Sequence, residues 1–312
     1  MSSFIHDGRR LHYTLEGAGL ALLFVHGLGG NVDNWMLQRL ALATTHRVVG
    51  IDMPGHGRSE GREVRFDRYW EAILALTEHL QIERIAICGL SKGARVALMF
   101  AARHPERVER IAVVNAFIHL KPADREARLK LYDLLLLPDG GRGWAEELLY
   151  AMGVSEHDAI VRGFLRSLNW IDPQHIRARF NELIAFDQRA ELADVRCPIL
   201  LIRGERDAFV PDYCVEELHQ RSQDPRSHEC RVAGICLTSK LLHDSTRCSP
   251  NFLEARDRMV DQRIKPSSSS RGAQNRHHYA GPVERCFRGR PFGTRQRGDA
   301  SGSSCRGVLI TR

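Results

Sequence analysis

Five short apolar runs constrain this chain more than any other feature. Residues 20–25 (LALLFV), 47–51 (RVVGI), 84–88 (RIAIC), 110–114 (RIAVV) and 198–202 (PILLI) are rich in Val, Ile and Leu and do not alternate with polar residues. Strands buried on both faces read this way. Helical stretches at 31–44, 66–80 and 91–104 separate the first four. Such alternation predicts an α/β fold, a mostly parallel sheet with helices on both faces. Residues 4–16 add two short strands around Asp7-Gly8, and a run ending at Arg231-Val232-Ala233-Gly234 adds another, so about eight strands are expected. Hydrophobic residues make up 43% of the chain, enough to bury a core of that size.

Residues 117–190 break the pattern. Residues 129–137, 144–152 and 175–186 read as helices with no strand signal between them. The segment is too long for an ordinary connection. It reads as a helical cap inserted into a core formed by 1–116 and 191–264. The cap's apolar residues, among them Trp144, Leu148, Leu149, Tyr150, Phe164 and Trp170, are candidates for a substrate roof or for packing between helices. From residue 265 the composition turns to Ser, Arg and Gly, and disorder is expected over 265–312. That tail holds ten basic and two acidic residues, so it carries +8 and the rest of the chain −1. The basic balance therefore says little about the partners of the body. No specific nucleic-acid partner is expected.

Gly89-Leu90-Ser91-Lys92-Gly93 follows one apolar run and opens a helix. A chain turning that tightly from strand to helix has no room for side chains beside the serine. The turn pushes the Ser91 hydroxyl clear of the sheet and leaves the Lys92 N–H at a helix start. The alternative is a plain N-cap serine after a glycine turn. His26-Gly27-Leu28-Gly29-Gly30 follows the first buried run, where glycines let backbone amides approach an anion. The Leu28 and Lys92 N–H groups would then form an oxyanion hole. Asp52-Met53-Pro54-Gly55-His56-Gly57-Arg58-Ser59 reads as a rigid loop stabilised by Asp52, with His26 and His56 structural.

These three segments, in this order and near these separations, resemble the α/β-hydrolase superfamily over residues 4–211. The finer resemblance is to small cytosolic esterases and 3-oxoadipate enol-lactonases. The implied function is hydrolysis of a small carboxylic ester or lactone through an acyl-enzyme, with no cofactor and no metal. The resemblance places the catalytic acid in Gly204-Glu205-Arg206-Asp207, at Asp207, against the alternative of an Asx-turn aspartate. It also implies a Gly-His turn after the next strand, and here the chain departs from the pattern. Lys240 occupies the expected position of the base and His243 lies three residues beyond. His243 has the right chemistry, and its use requires a remodelled loop. Lysine is charged near neutrality and a poor base. His228 is a weaker candidate. The other reading is a hydrolase-fold protein without a base, inactive or binding a small molecule. A disrupted reading frame around residues 222–240 and beyond Ile264 would account for both departures.

No run of about 18 apolar residues occurs, so no membrane span is expected. The N-terminal segment lacks the apolar core of a signal peptide. The eight cysteines contain no CxxC pair. Both features predict a cytoplasmic protein with free thiols. The oligomeric state is not legible.

Overall fold

Each apolar run forms a strand of one eight-stranded sheet. The computed structural model describes residues 2–155, 158–222 and 228–232. β1 (Ser2–His6) and β2 (Arg9–Glu16) form a hairpin. They are followed by β3 (Leu20–Val25), α1 (Met36–Leu42), β4 (His46–Ile51), α2 (Tyr69–His79), β5 (Ile85–Leu90) and α3 (Lys92–Arg103). Next come β6 (Val108–Val114), α4 (Pro122–Asp133), α5 (Arg142–Ala151), α6 (Asp158–Ser167) and α7 (Pro173–Ala185). β7 (Ile199–Gly204), α8 (Asp212–Arg221) and β8 (His228–Val232) complete the described chain.

The strand order is β1-β2-β4-β3-β5-β6-β7-β8. β2 runs antiparallel to β1 and to β4, and every other neighbouring pair is parallel. Successive residues point to opposite faces. Leu23, Val25, Val49, Ile51, Ile87 and Ile111 therefore belong to one apolar layer, while Leu22, Phe24, Val48 and Leu200 join Trp35 in a second. Covered faces on both sides remove any need for polar alternation, which is why the runs read as continuous.

The helices between β6 and β7 form the cap, with no strand among the described residues there. Proline opens α4 and α7, where its missing N–H costs nothing. Asp172 caps α7 through the His175 N–H at 3.1 Å. Helix α6 is not among the expected helices, although Ile160, Val161, Phe164 and Leu165 recur at helical spacing. Arg95 ties α3 to the chain returning from the cap. Its buried guanidinium donates to Gln188 Oε1 (3.0 Å), to the Leu183 carbonyl (2.6 Å) and to the Phe186 carbonyl, amid the rings of Phe66, Phe117 and Phe186. Burial lowers its pKa to about 9, which still leaves it charged near neutrality. The basic tail from residue 265 lies outside the described residues.

Candidate active site

Ser91 sits between the last residue of β5 and the first of α3, at φ 50° and ψ −111°. A side chain there is strained by about 1–3 kcal/mol. The crowding expected of this turn is present. A Cβ on Gly89 would lie 2.4 Å from the Ala94 nitrogen, and one on Gly93 would lie 2.3 Å from the Val25 carbonyl oxygen. The Ser91 N–H donates to the Val114 carbonyl (2.8 Å), and the Ser91 carbonyl accepts from Ala94 and Arg95. Ser91 stands at the N-cap position of α3, but its side chain makes no capping hydrogen bond, and its hydroxyl has no hydrogen bond among the described residues.

That hydroxyl lies on the wall of a cavity of about 570 Å³, which Gly27, Leu28, Asn115 and Asp207 also line. Among the described residues neither the Leu28 N–H nor the Lys92 N–H has a backbone acceptor. Behind them the polar side chains are fully used. His26 Nδ1 donates to the Gly27 carbonyl (2.7 Å) and its Nε2 accepts from the Met53 N–H (3.0 Å). Burial pulls its pKa to about 3, so the ring is a neutral pin between two loops. His56 Nδ1 lies 2.9 Å from the Pro54 carbonyl oxygen, and its Nε2 lies 3.4 Å from Lys92 Nζ. The Lys92 side chain is buried over the Tyr69 ring, away from the cavity wall. Burial holds its pKa well below the usual lysine value. Nothing in the sequence pattern marked that side chain.

Asp207 follows β7. One carboxylate oxygen, Oδ1, accepts the N–H groups of Phe209 (2.8 Å) and Val210 (3.1 Å). Oδ2 has no hydrogen bond among the described residues. Burial pushes its pKa up to about 6, against those N–H groups and the Arg203 guanidinium. Asn115 follows β6, at φ 44°, and lines the same cavity as Ser91 and Asp207. Its Oδ1 accepts the Gly204 N–H (3.0 Å), which ties this strand end to the Asp207 loop. The sequence pattern does not single out Asn115; an Asn just past a strand, where αL is tolerated, is the available signal. His243 and Lys240 lie outside the described residues, and of His228 only its place in β8 is described.

The cap supplies Leu148, Leu149, Phe164 and Trp170 to the cavity wall, with Tyr132, Met152 and Ile160 in addition. Trp144 and Phe180 are buried in the core instead, and Tyr150 is exposed. Donor atoms of His6, Asp7 and Glu71 lie within 4.8 Å of one another, but Asp7 and Glu71 face Arg9 (3.9 Å) and Arg68 (2.6 Å). None of the three lines the Ser91 cavity. Among the described residues no helix is long and apolar enough to cross a membrane.

The fold and this strand-end cavity define a class: a mostly parallel sheet carrying a half-buried serine on a strained turn, with a helical cap between β6 and β7. Residues 21–234 match the alpha/beta hydrolase fold, and the chain belongs to that family. A protein of Azorhizobium caulinodans named for carbamate hydrolysis, RutD, is 28% identical, over 72% of this chain and 88% of its own. The enol-lactonase from Burkholderia xenovorans superposes with a TM-score of 0.69 at 23% identity, covering 81% of this chain and 99% of its own. Est816, titled as an N-acyl homoserine lactone degrading enzyme, gives 0.68 at 19% identity, covering 80% and 100%.

Proposed function

We propose that the chain is a serine hydrolase that cleaves a small carboxylic ester or lactone through an acyl-enzyme on Ser91. The observation that carries this reading is the unspent Ser91 hydroxyl, on a strained turn, in the same cavity as the half-used carboxylate of Asp207. Ser91 Oγ attacks the acyl carbon while its proton passes to the base, His243. The N–H groups of Leu28 and Lys92 take the oxyanion, each worth about 2.7–4 kcal/mol to the transition state. The protonated base returns its proton to the leaving alkoxide. Water then repeats the sequence on the acyl-enzyme and frees Ser91. Asp207 orients the imidazole and stabilises its charged form. The names of the relatives share one reaction type with this scheme, attack on an acyl carbon.

Fluorophosphonate labelling together with ester turnover tests the reading. Rapid labelling that vanishes in Ser91→Ala supports it, and labelling no faster than free serine overturns it. His243→Ala is expected to lower kcat by several orders of magnitude with the fold intact. Activity that survives His243→Ala and falls with Lys240→Ala moves the base to Lys240. If neither substitution matters, the chain is a hydrolase-fold protein without a working base.

A further inference from the structure

Helix α1 is inside out. It buries Gln38 (3% exposed) and Arg39 (6%) and leaves Met36, Leu37 and Leu40 at 49%, 47% and 59%. The cause is Arg39. Its Nη1 donates to Thr14 Oγ1 at 2.7 Å, and its Nη2 lies 3.3 Å from Glu16. That double anchor on β2 sets the rotation of the helix about its axis. The positions three before, two before and one after Arg39 are then left outside. Residues 36 and 40 are one turn apart, so the three side chains form a continuous ridge about 6 Å long.

The ridge is not an isolated apolar patch. Met36 and Leu37 line the cavity that holds Ser91, and so does Trp170 of the cap, itself half exposed. Deeper in, Leu148, Leu149, Ile160 and Phe164 make the same wall apolar. Met36 and Leu37 thus belong both to the exposed ridge and to the lining of the Ser91 cavity, which joins the two apolar surfaces. A compact lactone fills the inner part and leaves the ridge in water. An ester with an extended apolar chain covers both.

We propose that the Met36–Leu37–Leu40 ridge is the outer half of a chain-binding subsite. The substrate class is then esters carrying an uncharged, unbranched apolar chain that passes from Ser91 across α1. This inference rests on the hydrolase reading above. Among the described residues, the charged groups at the cavity are Asp33, Arg166 and Asp207. Asp33 is already 3.7 Å from Arg58, which leaves Arg166 as the competing feature, a receptor for a carboxylate.

The test uses the full chain and p-nitrophenyl esters from acetate to decanoate. Each methylene that lands on the ridge is expected to raise kcat/KM by up to about fourfold, the ratio for burying one CH₂. In Leu37→Ser/Leu40→Ser that slope flattens at the long end. Binding of alkan-1-ols from butanol to decanol to Ser91→Ala, by calorimetry, reads the subsite without turnover. Affinity there should climb with length and lose its climb when the two leucines are also replaced. A flat alcohol series overturns the subsite, whether or not esters are cleaved. A steep alcohol series with no turnover of any ester keeps the subsite and removes the hydrolase reading. Preference for a carboxylate-ended chain over an uncharged one of equal length overturns the proposal in favour of Arg166. So does a wild-type dimer that the double variant converts to monomer, since the ridge would then be an interface between copies.

Discussion

Two buried aspartates stand just beyond strand ends, Asp52 after β4 and Asp207 after β7, and they are spent differently. Asp52 uses both oxygens. Oδ1 accepts the Val32 N–H (2.7 Å), and Oδ2 accepts the Arg58 N–H (2.9 Å) and faces His12 Nδ1 (3.0 Å). Burial pushes its pKa up, but the His12 ring and the N–H groups outweigh it and hold the carboxyl below its ordinary value. Asp207 uses one oxygen for the turn that builds its own loop, and burial leaves its pKa at about 6. A carboxylate whose bonding is complete has nothing left for chemistry. Asp207, whose second oxygen has no partner among the described residues, lies on the wall of the cavity that Ser91 also lines. Asp52 is a brace, and Asp207 is the acid of the reaction proposed above.

The largest expected effect breaks the pair by function. Asp207→Asn keeps the side-chain carbonyl for the Phe209 and Val210 N–H groups and removes the charge that orients a base. We expect kcat to fall about 10⁴-fold, the loss when a triad acid becomes its amide. Denaturant unfolding should show little loss of stability. Asp52→Asn should do the reverse. An amide there turns two donors toward the Arg58 or Val32 N–H, and a hydrogen bond to a charged acceptor is worth about 1.5–3 kcal/mol. We expect a loss of about 2–4 kcal/mol on unfolding, with kcat reduced far less than in Asp207→Asn. A stability loss of the same size in both variants would dissolve the distinction.

The same contrast explains what was legible in the sequence. The strands, the turn at Ser91 and the loop around Asp52 were readable because local rules set them. Buried strands must be apolar, and a Cβ on Gly89 or Gly93 has no room. The cap was readable as helices, but which of its residues line the cavity was not. Trp144 and Trp170 look alike in sequence, yet one is buried in the core and the other sits at the mouth. The ridge on α1 was invisible for the same reason, since its rotation is fixed by a long-range bond from Arg39 to Thr14. Asn115 escaped because its role depends on Gly204, 89 residues away. The base resisted reading because the chain departs from the family pattern over the turn that should carry it.

The smallest effect, and the sharpest, is in pH. Asp207 has a folded pKa of about 6, above its ordinary 3.8. The folded state therefore binds this proton more tightly than the unfolded state. The stability that this provides is fully present below about pH 4 and is lost as pH rises through about 6. A shift of about two units corresponds to something on the order of 3 kcal/mol. Asp52 runs the other way. Its folded pKa is depressed, so its contribution is present above 3.8 and is lost as pH falls through the lower folded value. Unfolding free energies of wild type, Asp207→Asn and Asp52→Asn, measured from pH 3 to 8, should therefore diverge in opposite senses. Asp207→Asn should gain on wild type between about pH 4 and 6, and Asp52→Asn should approach wild type only toward the acid end. If Asp207→Asn tracks wild type across the whole range, its second oxygen is already paired with a cation in the folded protein. Repeating the titration in His243→Ala then identifies the partner. A gain between pH 4 and 6 that appears only when His243 is gone places the imidazolium against Asp207, joining the two halves of the site through their titration.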